Sequence, residues 1–278
     1  MTLAIQAERV TFGYGRGEPV LRNVSFEVRA GTFLAIAGPN GVGKSTLVNI
    51  LAGLLKPQSG AILLNGENLR SSSVQDIARR VAVVRQEFIP AFAFSVLETV
   101  LMARTLYYGR LGFESKADRE IVMRALELTD TTPFASRPLG SLSAGERQRV
   151  FIARGLAQDT PILLLDEPTS FLDLKHQVKI YDLLKSIQTT KGTTIVAITH
   201  DLNLAAQYCN ETLLLYPRGS QPLESPSYRI GKTSEILTPD EVERAFDVRV
   251  FSAMIGDERF LIPLGARARG ADVSGRVS

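Results

Sequence analysis

The octapeptide GPNGVGKS, residues 38–45, fits the phosphate-binding P-loop pattern. It follows the apolar run FLAIA, which is typical of a buried strand, and it precedes KSTLVNILAGL, whose apolar residues recur at helical spacing. Gly53 and Pro57 mark the exit from that helix. Because a P-loop works at the junction of a strand and a helix, this context predicts an α/β core.

The residue types of this loop suit a nucleoside triphosphate with Mg²⁺. Its glycines let backbone amides turn toward phosphate oxygens, and the following helix adds the positive end of its dipole. Lys44 would reach the terminal phosphates, and the Ser45 hydroxyl would coordinate the metal. A glycine-rich turn without a ligand is the alternative. The predicted nucleotide-binding residues are Gly38, Pro39, Asn40, Gly41, Val42, Gly43, Lys44, Ser45 and Thr46.

A pair of carboxylates ends the later segment PILLLDE, residues 161–167. An apolar strand that ends in Asp166 would place this carboxylate beside the P-loop, where it holds the metal. Glu167 would orient and deprotonate the water that attacks the γ-phosphate, a role typically worth about 10² to 10⁴ in rate. The alternative is a salt-bridged surface pair at a strand end.

The remaining pattern predicts a parallel sheet with additions at both ends. The strand at 161–166 and a further apolar run at 193–199 are separated by a helical pattern over about 174–189, as in a parallel sheet. Short strands are predicted at 3–12 and 24–37, and a mostly helical insert between residue 86 and about 140. Beyond Leu215 follow a polar stretch, a short capped helix TPDEVERAF and a loose basic tail, ARARGADVSGRVS.

Composition excludes several classes of protein. With 278 residues, 45% hydrophobic and 22% charged, the chain fits one large α/β domain or two joined subdomains, and it is not of disordered type. The net charge of +3 is weak support for nucleic-acid binding. Cys209 is the one cysteine, so an internal disulfide is excluded and a buried, reduced thiol is expected. No run reaches the roughly 18 apolar residues of a membrane span, so we expect neither crossing nor export.

Between the P-loop and the two carboxylates stands SLSAGERQRVFIARGLAQ, residues 141–158, and here the sequence resembles the ABC ATPase family, whose signature is LSGGQ. A hydroxyl and a glycine at a helix start suit an anion, although a mere helix cap is the alternative. The resemblance implies a head-to-tail dimer in which this motif closes over ATP held by Lys44 of the other copy. The implied ATP contacts are Ser143, Ala144, Gly145 and Glu146.

The same resemblance implies the fold and further site residues. The fold is a P-loop NTPase core with an N-terminal antiparallel β subdomain and a helical insert at about 87–150, within an ATPase domain at 1–240 and a C-terminal extension at 241–278. Tyr14 would stack on adenine, although a turn tyrosine is by itself more often structural. Further implied residues are Gln86 at Mg²⁺ and the attacking water, His200 at the γ-phosphate, and Asp173, counted as catalytic, in the loop after Glu167.

Some residues depart from the family pattern or lie outside it. Ala144 replaces glycine, Glu146 replaces glutamine, and Phe171 is bulky where small residues are usual. His176 is expected to be solvated or packed rather than a metal ligand. The stretch 216–232 has no counterpart in the resemblance.

The segments FSVLETVLMAR, FLDLKHQ and HDLNLAAQYC look most like importer ATPases for iron-siderophore, haem and cobalamin. This resemblance implies integral membrane permease partners, an extracytoplasmic binding protein reached indirectly, and a peripheral position at the cytoplasmic face of the membrane. Residues 87–93, EFIPAFA, would form the groove for a permease helix, unless they pack inside the insert.

An exporter motor is one alternative function, although RPLGSLSAGE lacks the TxVGExG stretch that is usual in exporter ATPases. The other alternative is a soluble ABC ATPase of repair, translation or cofactor assembly. Repair-type members carry long coiled coils or zinc-binding cysteines, and translation-type members carry two cassettes, whereas this chain has one cassette, one cysteine and no sustained heptads.

Overall fold

The computed structural model describes residues 2–15, 17–85, 93–108, 113–218, 227–256 and 258–265. A mixed sheet flanked by helices is joined to a smaller antiparallel sheet and a C-terminal hairpin. The strands are β1 (Leu3–Phe12), β2 (Leu21–Arg29), β3 (Phe33–Ala37), β4 (Ser59–Leu64), β5 (Glu67–Asn68), β6 (Val81–Val84), β7 (Ile162–Asp166), β8 (Thr194–Ile198), β9 (Glu211–Leu215), β10 (Tyr228–Lys232), β11 (Val250–Ile255) and β12 (Glu258–Pro263). The α-helices are α1 (Lys44–Leu51), α2 (Val74–Arg80), α3 (Val96–Leu101), α4 (Lys116–Leu128), α5 (Ala144–Ala157), α6 (Leu174–Lys191), α7 (Leu202–Tyr208), α8 (Thr233–Ile236) and α9 (Pro239–Phe246).

The central sheet has the strand order β10-β9-β3-β8-β7-β6, in which all strands except β10 run parallel. β3 and β8 are buried along their whole length, which explains why each is a continuous apolar run in the sequence. The P-loop leaves β3, Asp166 ends β7 and His200 follows β8. Because these strands are parallel neighbours, their carboxyl ends bring the predicted site residues to one edge of the sheet. The expected α/β core is confirmed.

The smaller sheet has the order β2-β1-β4-β5, with β1 antiparallel to both β2 and β4. Its buried side chains share a core with α1 and one face of the central sheet, including Val10, Leu34 and Leu47. The stretch predicted as strands at 24–37 divides near Gly31, where φ is 76°. Thus β2 belongs to the smaller sheet and β3 to the central one, and the expected antiparallel β subdomain is confirmed.

The described part of the segment between β6 and β7 is mostly helical, in agreement with the sequence pattern. It contains α3, a 3-10 turn at Met102–Tyr107, α4 and α5, and their buried faces join the second core of the molecule. Each of the three helices begins in a capping box, at Ser95, Ser115 and Ser143. The boundaries predicted for the insert stay a prediction, and residues 87–92 of its expected permease groove lie outside the described residues.

A buried ion pair fixes this helical segment. The Arg104 Nε donates to Asp118 Oδ1 at 2.9 Å, with the two side chains only 8% and 7% exposed. The same guanidinium donates to the carbonyl oxygen of Ala157 at the end of α5, at 3.0 Å. One cation therefore joins the turn after α3 to both α4 and α5.

Replacement of Asp118 by alanine is expected to lower the free energy of unfolding by about 3–5 kcal/mol, because it leaves the buried guanidinium without its anion. Urea denaturation measures this change. Asp76→Ala is the matched control, since Asp76 closes the same kind of capping box on α2 but is exposed to solvent. A loss for Asp118→Ala no larger than for Asp76→Ala would show that the cap, and not the buried pair, stabilises the segment.

The C-terminal extension is folded as far as residue 265. The predicted helix TPDEVERAF is confirmed as α9, whose N-cap is Thr238 with Pro239 in the first turn. On its inner side, the buried Glu241 accepts hydrogen bonds from the Tyr216 hydroxyl and Arg229, which tie α9 to the central sheet. The basic tail beyond residue 265 lies outside the described residues. Of the helices described, none has the length and apolar character needed to span a bilayer.

Candidate active site

The P-loop holds a shape that only glycine permits at two positions. Gly38 has φ 144° and Gly43 has φ 110°. A Cβ on Gly38 would stand 2.6 Å from the carbonyl oxygen of Leu215, and one on Gly43 would stand 2.8 Å from Val20 Cγ1. The loop therefore packs tightly against β9 and the start of β2, and only glycine fits at these two positions.

The Lys44 ammonium lies inside the loop. Its Nζ donates to the carbonyl oxygens of Gly38 at 2.8 Å and Pro39 at 2.9 Å. Burial lowers the pKa of Lys44, whereas the negative charges of Glu167 and Asp166 act in the opposite direction. A buried cation on a glycine-rich loop, within electrostatic reach of two carboxylates, is an arrangement that suits a polyphosphate bound with a metal ion.

Ser45 and Asp166 meet at the carboxyl end of β7. The Ser45 Oγ donates to Asp166 Oδ1 at 3.2 Å. Burial raises the pKa of Asp166, and the hydrogen bond from Ser45 acts against that rise. A hydroxyl and a carboxylate oxygen this close are hard ligands of the kind Mg²⁺ prefers, so the two residues fit a metal that takes its other ligands from phosphate and water.

The Glu167 carboxylate is held by two other elements. Its Oε1 lies 2.6 Å from His200 Nε2, and its Oε2 accepts from Ser170 Oγ at 2.9 Å. The backbone of Glu167 has φ 51°, a left-handed conformation that is uncommon for a residue other than glycine and that concentrates at functional sites. The side chain is 19% exposed. Glu167 is thus oriented, and part of its side chain remains accessible.

Tyr14 stands at the entrance of the site. Its hydroxyl is 3.2 Å from Thr46 Oγ1, and its ring meets Phe12 edge to face with centroids 5.0 Å apart. The residue is nevertheless 60% exposed. These contacts hold the Tyr14 side chain, and its exposure leaves aromatic surface open to a flat ligand.

The signature segment, residues 142–146, lies at the start of α5. Ser143 caps this helix, and its N–H and Oγ donate to the Glu146 carboxylate at 2.7 Å and 2.8 Å. These two bonds hold the pKa of Glu146 below its usual value. Gly145 lies close to the loop that follows Glu167: a Cβ built on Gly145 would be 3.2 Å from the carbonyl oxygen of Phe171.

Not every predicted residue joins this cluster. Asp173 caps α6, where it accepts from the His176 N–H at 2.9 Å and contacts His176 Nδ1 at 2.7 Å. Its catalytic role stays a prediction. His176 is paired with this cap, while Gln86, predicted for metal and water, lies outside the described residues. The sequence analysis did not predict the hydrogen bond from Ser170 to Glu167. The feature that could have indicated it is a hydroxyl side chain three residues after the carboxylate.

Comparison with known proteins places the chain in a family. A family model described as "ABC transporter" matches residues 21–170, more than half of the chain. The cobalamin import ATP-binding protein of Halobacterium salinarum is 38% identical over 84% of this chain, which spans only 56% of that relative's length. The achromobactin transport ATP-binding protein of Dickeya dadantii is 37% identical over 94% of this chain and 95% of its own length. The ferric enterobactin transport ATP-binding protein of Escherichia coli is 35% identical over 95% of both.

Solved structures give the same result. A metal-chelate type ABC transporter in an inward-facing conformation is similar with a TM-score of 0.80 and 31% identity, covering 95% of this chain and 99% of its own. A dimeric ATP-binding cassette with bound ADP and phosphate is similar with a TM-score of 0.71 and 30% identity, covering 82% of this chain and 98% of its own.

Proposed function

This chain belongs to the ABC transporter family, and on that premise we propose that it binds ATP with Mg²⁺ and hydrolyses it to drive import through a membrane permease. The observation that carries the proposal is the meeting of Lys44, Asp166 and Glu167 at one edge of the central sheet. The loop amides and the Lys44 ammonium hold the β- and γ-phosphates. Phosphate oxygens then replace the carbonyls of Gly38 and Pro39 as acceptors for Lys44.

Ser45 and Asp166 would hold Mg²⁺, which neutralises charge on the phosphates when bound. Glu167 accepts a proton from the water that attacks the γ-phosphorus. Ser170 and His200 keep the Glu167 carboxylate aimed at that water, since each contacts one of its two oxygens. His200, with a side chain 43% exposed, has surface available for the γ-phosphate.

Replacement of Tyr14 by alanine is expected to weaken ATP binding by about 1–3 kcal/mol, because it removes the surface on which adenine stacks. Tyr14→Trp keeps a flat ring and should bind ATP almost as the wild type does. The chain has no tryptophan, so fluorescence of the new indole reports the titration directly. Tyr14→Phe separates stacking from the bond to Thr46. Equal affinity of the alanine variant and the wild type would make Tyr14 a structural turn residue.

A second copy completes each site. The signature segment of one copy closes over ATP bound to Lys44 of the other, and the similar cassette dimer supports this arrangement. Ser143 already binds a carboxylate through its N–H and Oγ, which supports its capacity to bind a phosphate. When the dimer closes, Ser143 would donate to an oxygen of the partner's ATP in place of the Glu146 carboxylate.

The cargo is a metal chelate, such as a ferric siderophore, haem or cobalamin. Relatives that match this chain over nearly their whole length are named for achromobactin and ferric enterobactin transport, and the similar transporter structure is of metal-chelate type. The chain would sit at the cytoplasmic face of the membrane, bound to its permease and supplied by an extracytoplasmic binding protein. None of the described site residues would select the cargo, because in this proposal their partners are ATP, Mg²⁺ and water.

Reconstitution tests this proposal. The tagged chain is purified with its many-helix membrane partner, placed in proteoliposomes, and supplied with binding protein loaded with a ferric siderophore, haem or cobalamin. We expect Mg²⁺-dependent ATP hydrolysis and uptake of one of these chelates. Hydrolysis without uptake of any of them would contradict the cargo class, and absence of hydrolysis in the complex would contradict the ATPase assignment.

A further inference from the structure

The C-terminal hairpin, formed by β11 and β12, lies against the helix that follows His200. Strand β12 contacts α7, and Leu261 is only 3% exposed because it joins the core beneath. Tyr208, at the end of the same helix, lies near Glu258 at the tip of the hairpin, and its pKa is raised to about 12, chiefly by burial. The hairpin therefore runs along the length of α7.

One side chain clamps the two elements together. Asn203 Oδ1 accepts the N–H of Leu261 at 2.8 Å, and Asn203 Nδ2 donates to the carbonyl oxygen of Leu261 at 3.3 Å. An amide side chain carries a donor and an acceptor as a peptide group does, so Asn203 pairs with the outer edge of β12 as a neighbouring strand would. This contact joins residues 58 positions apart.

The clamp is continuous with the turn that carries His200. The Asp201 Oδ1 caps α7 by accepting the N–H groups of Asn203 at 2.9 Å and Leu204 at 3.0 Å. The Asp201 N–H in turn donates to Thr199 Oγ1 at 3.1 Å. On the other side, the Thr199 N–H donates to the carbonyl oxygen of Ile36 in β3. His200 thus stands between an anchor in the central sheet and an anchor in the hairpin.

We infer that Asn203 is a positioning residue, through which the C-terminal hairpin holds His200 against Glu167. The inference rests on the proposed function. The His200 ring is 43% exposed, so packing alone does not fix it, and α7 has only seven residues, so its start depends on contacts with other elements. A displacement of about 1 Å would break the 2.6 Å contact with Glu167 and can reduce catalysis by up to about a hundredfold.

The first test is independent of ATP hydrolysis. The chain has two histidines, so long-range ¹H–¹⁵N spectra of the full-length protein contain two sets of imidazole signals. The set that disappears in His200→Ala belongs to His200. Asn203→Ala should shift or broaden the His200 signal and leave that of His176 unchanged. Asn210→Ala is the matched control, because Asn210 Oδ1 also accepts a backbone N–H, that of Phe33 at 3.0 Å, beyond the far end of α7. An unchanged His200 signal in Asn203→Ala would overturn the inference.

The second test separates positioning from general stability. At a temperature where circular dichroism shows every variant folded, Asn203→Ala should lower kcat about tenfold and change KM for ATP less than about twofold, since the nucleotide cradle is intact. Asn203→Asp keeps the acceptor for Leu261 N–H and should recover part of the loss. In a His200→Ala background the same Asn203→Ala change should have almost no further effect.

An equal fold-loss in the presence and absence of His200 would overturn the inference, because the hairpin would then act on the whole domain. Failure of the proposed function would give a different experimental result. In that case the wild type hydrolyses no ATP, whereas the imidazole signals still decide whether Asn203 fixes His200.

Discussion

A Glu167→Gln chain is expected to bind ATP as the wild type does and to hydrolyse it at least about a hundredfold more slowly. The amide fills the space of the carboxylate between Ser170 and His200, but it cannot accept a proton from the attacking water. Lys44, Ser45 and the loop amides are untouched, so nucleotide affinity is kept. If ATP closes the proposed dimer and hydrolysis reopens it, the ATP-bound dimer of this variant should accumulate.

Steady-state phosphate release measures the rate, and size-exclusion chromatography with light scattering measures the dimer. Glu127→Gln on the exposed side of α4 is the matched control for the same chemical change. Turnover of Glu167→Gln near that of this control would show that another group, or water alone, receives the proton.

Two inactive variants should restore activity when they are mixed. Lys44→Ala removes the buried ammonium of the P-loop, and Ser143→Arg places a long cation at the start of α5, where the signature segment would meet the partner's phosphate in the proposed dimer. Each homodimer carries one lesion in both of its composite sites and should be nearly inactive. In a heterodimer both lesions fall in the same site, so the other site is intact.

Random exchange makes about half of the dimers heterodimers, so a one-to-one mixture regains at most roughly a quarter of the wild-type sites. Differently tagged chains and a two-step pull-down verify that heterodimers are present. Verified heterodimers as inactive as both parents would remove support for a site shared between copies, and strict coupling of two sites would be tested next.

The parts of the site that the sequence predicted are those whose residues are adjacent in the chain. The P-loop glycines with Lys44, and Asp166 with Glu167, each follow a buried strand, so local spacing fixes both their chemistry and the sheet edge where they lie. The division of residues 24–37 between two sheets was not predicted, although β2 alternates apolar and polar residues and β3 is a continuous apolar run, because β8 and β9, the strands that pair with β3, lie far away in the chain.

Contacts between distant segments could not be predicted in this way. Neither Asn203 nor Leu261 has an unusual local pattern, and their pairing exists only once β11 and β12 fold onto α7. The approach of Gly145 to Phe171 is of the same kind. The functions of Gln86 and Asp173 rest on family resemblance alone.

The position of Lys44 bears on how nucleotides are exchanged. Its ammonium is bound by two carbonyl oxygens of its own loop, those of Gly38 and Pro39, so the chain itself offers acceptors for this charge. On the proposed function, release of ADP would then be an exchange of oxygens around one nitrogen, and the cellular ratio of ATP to ADP would decide which nucleotide loads next.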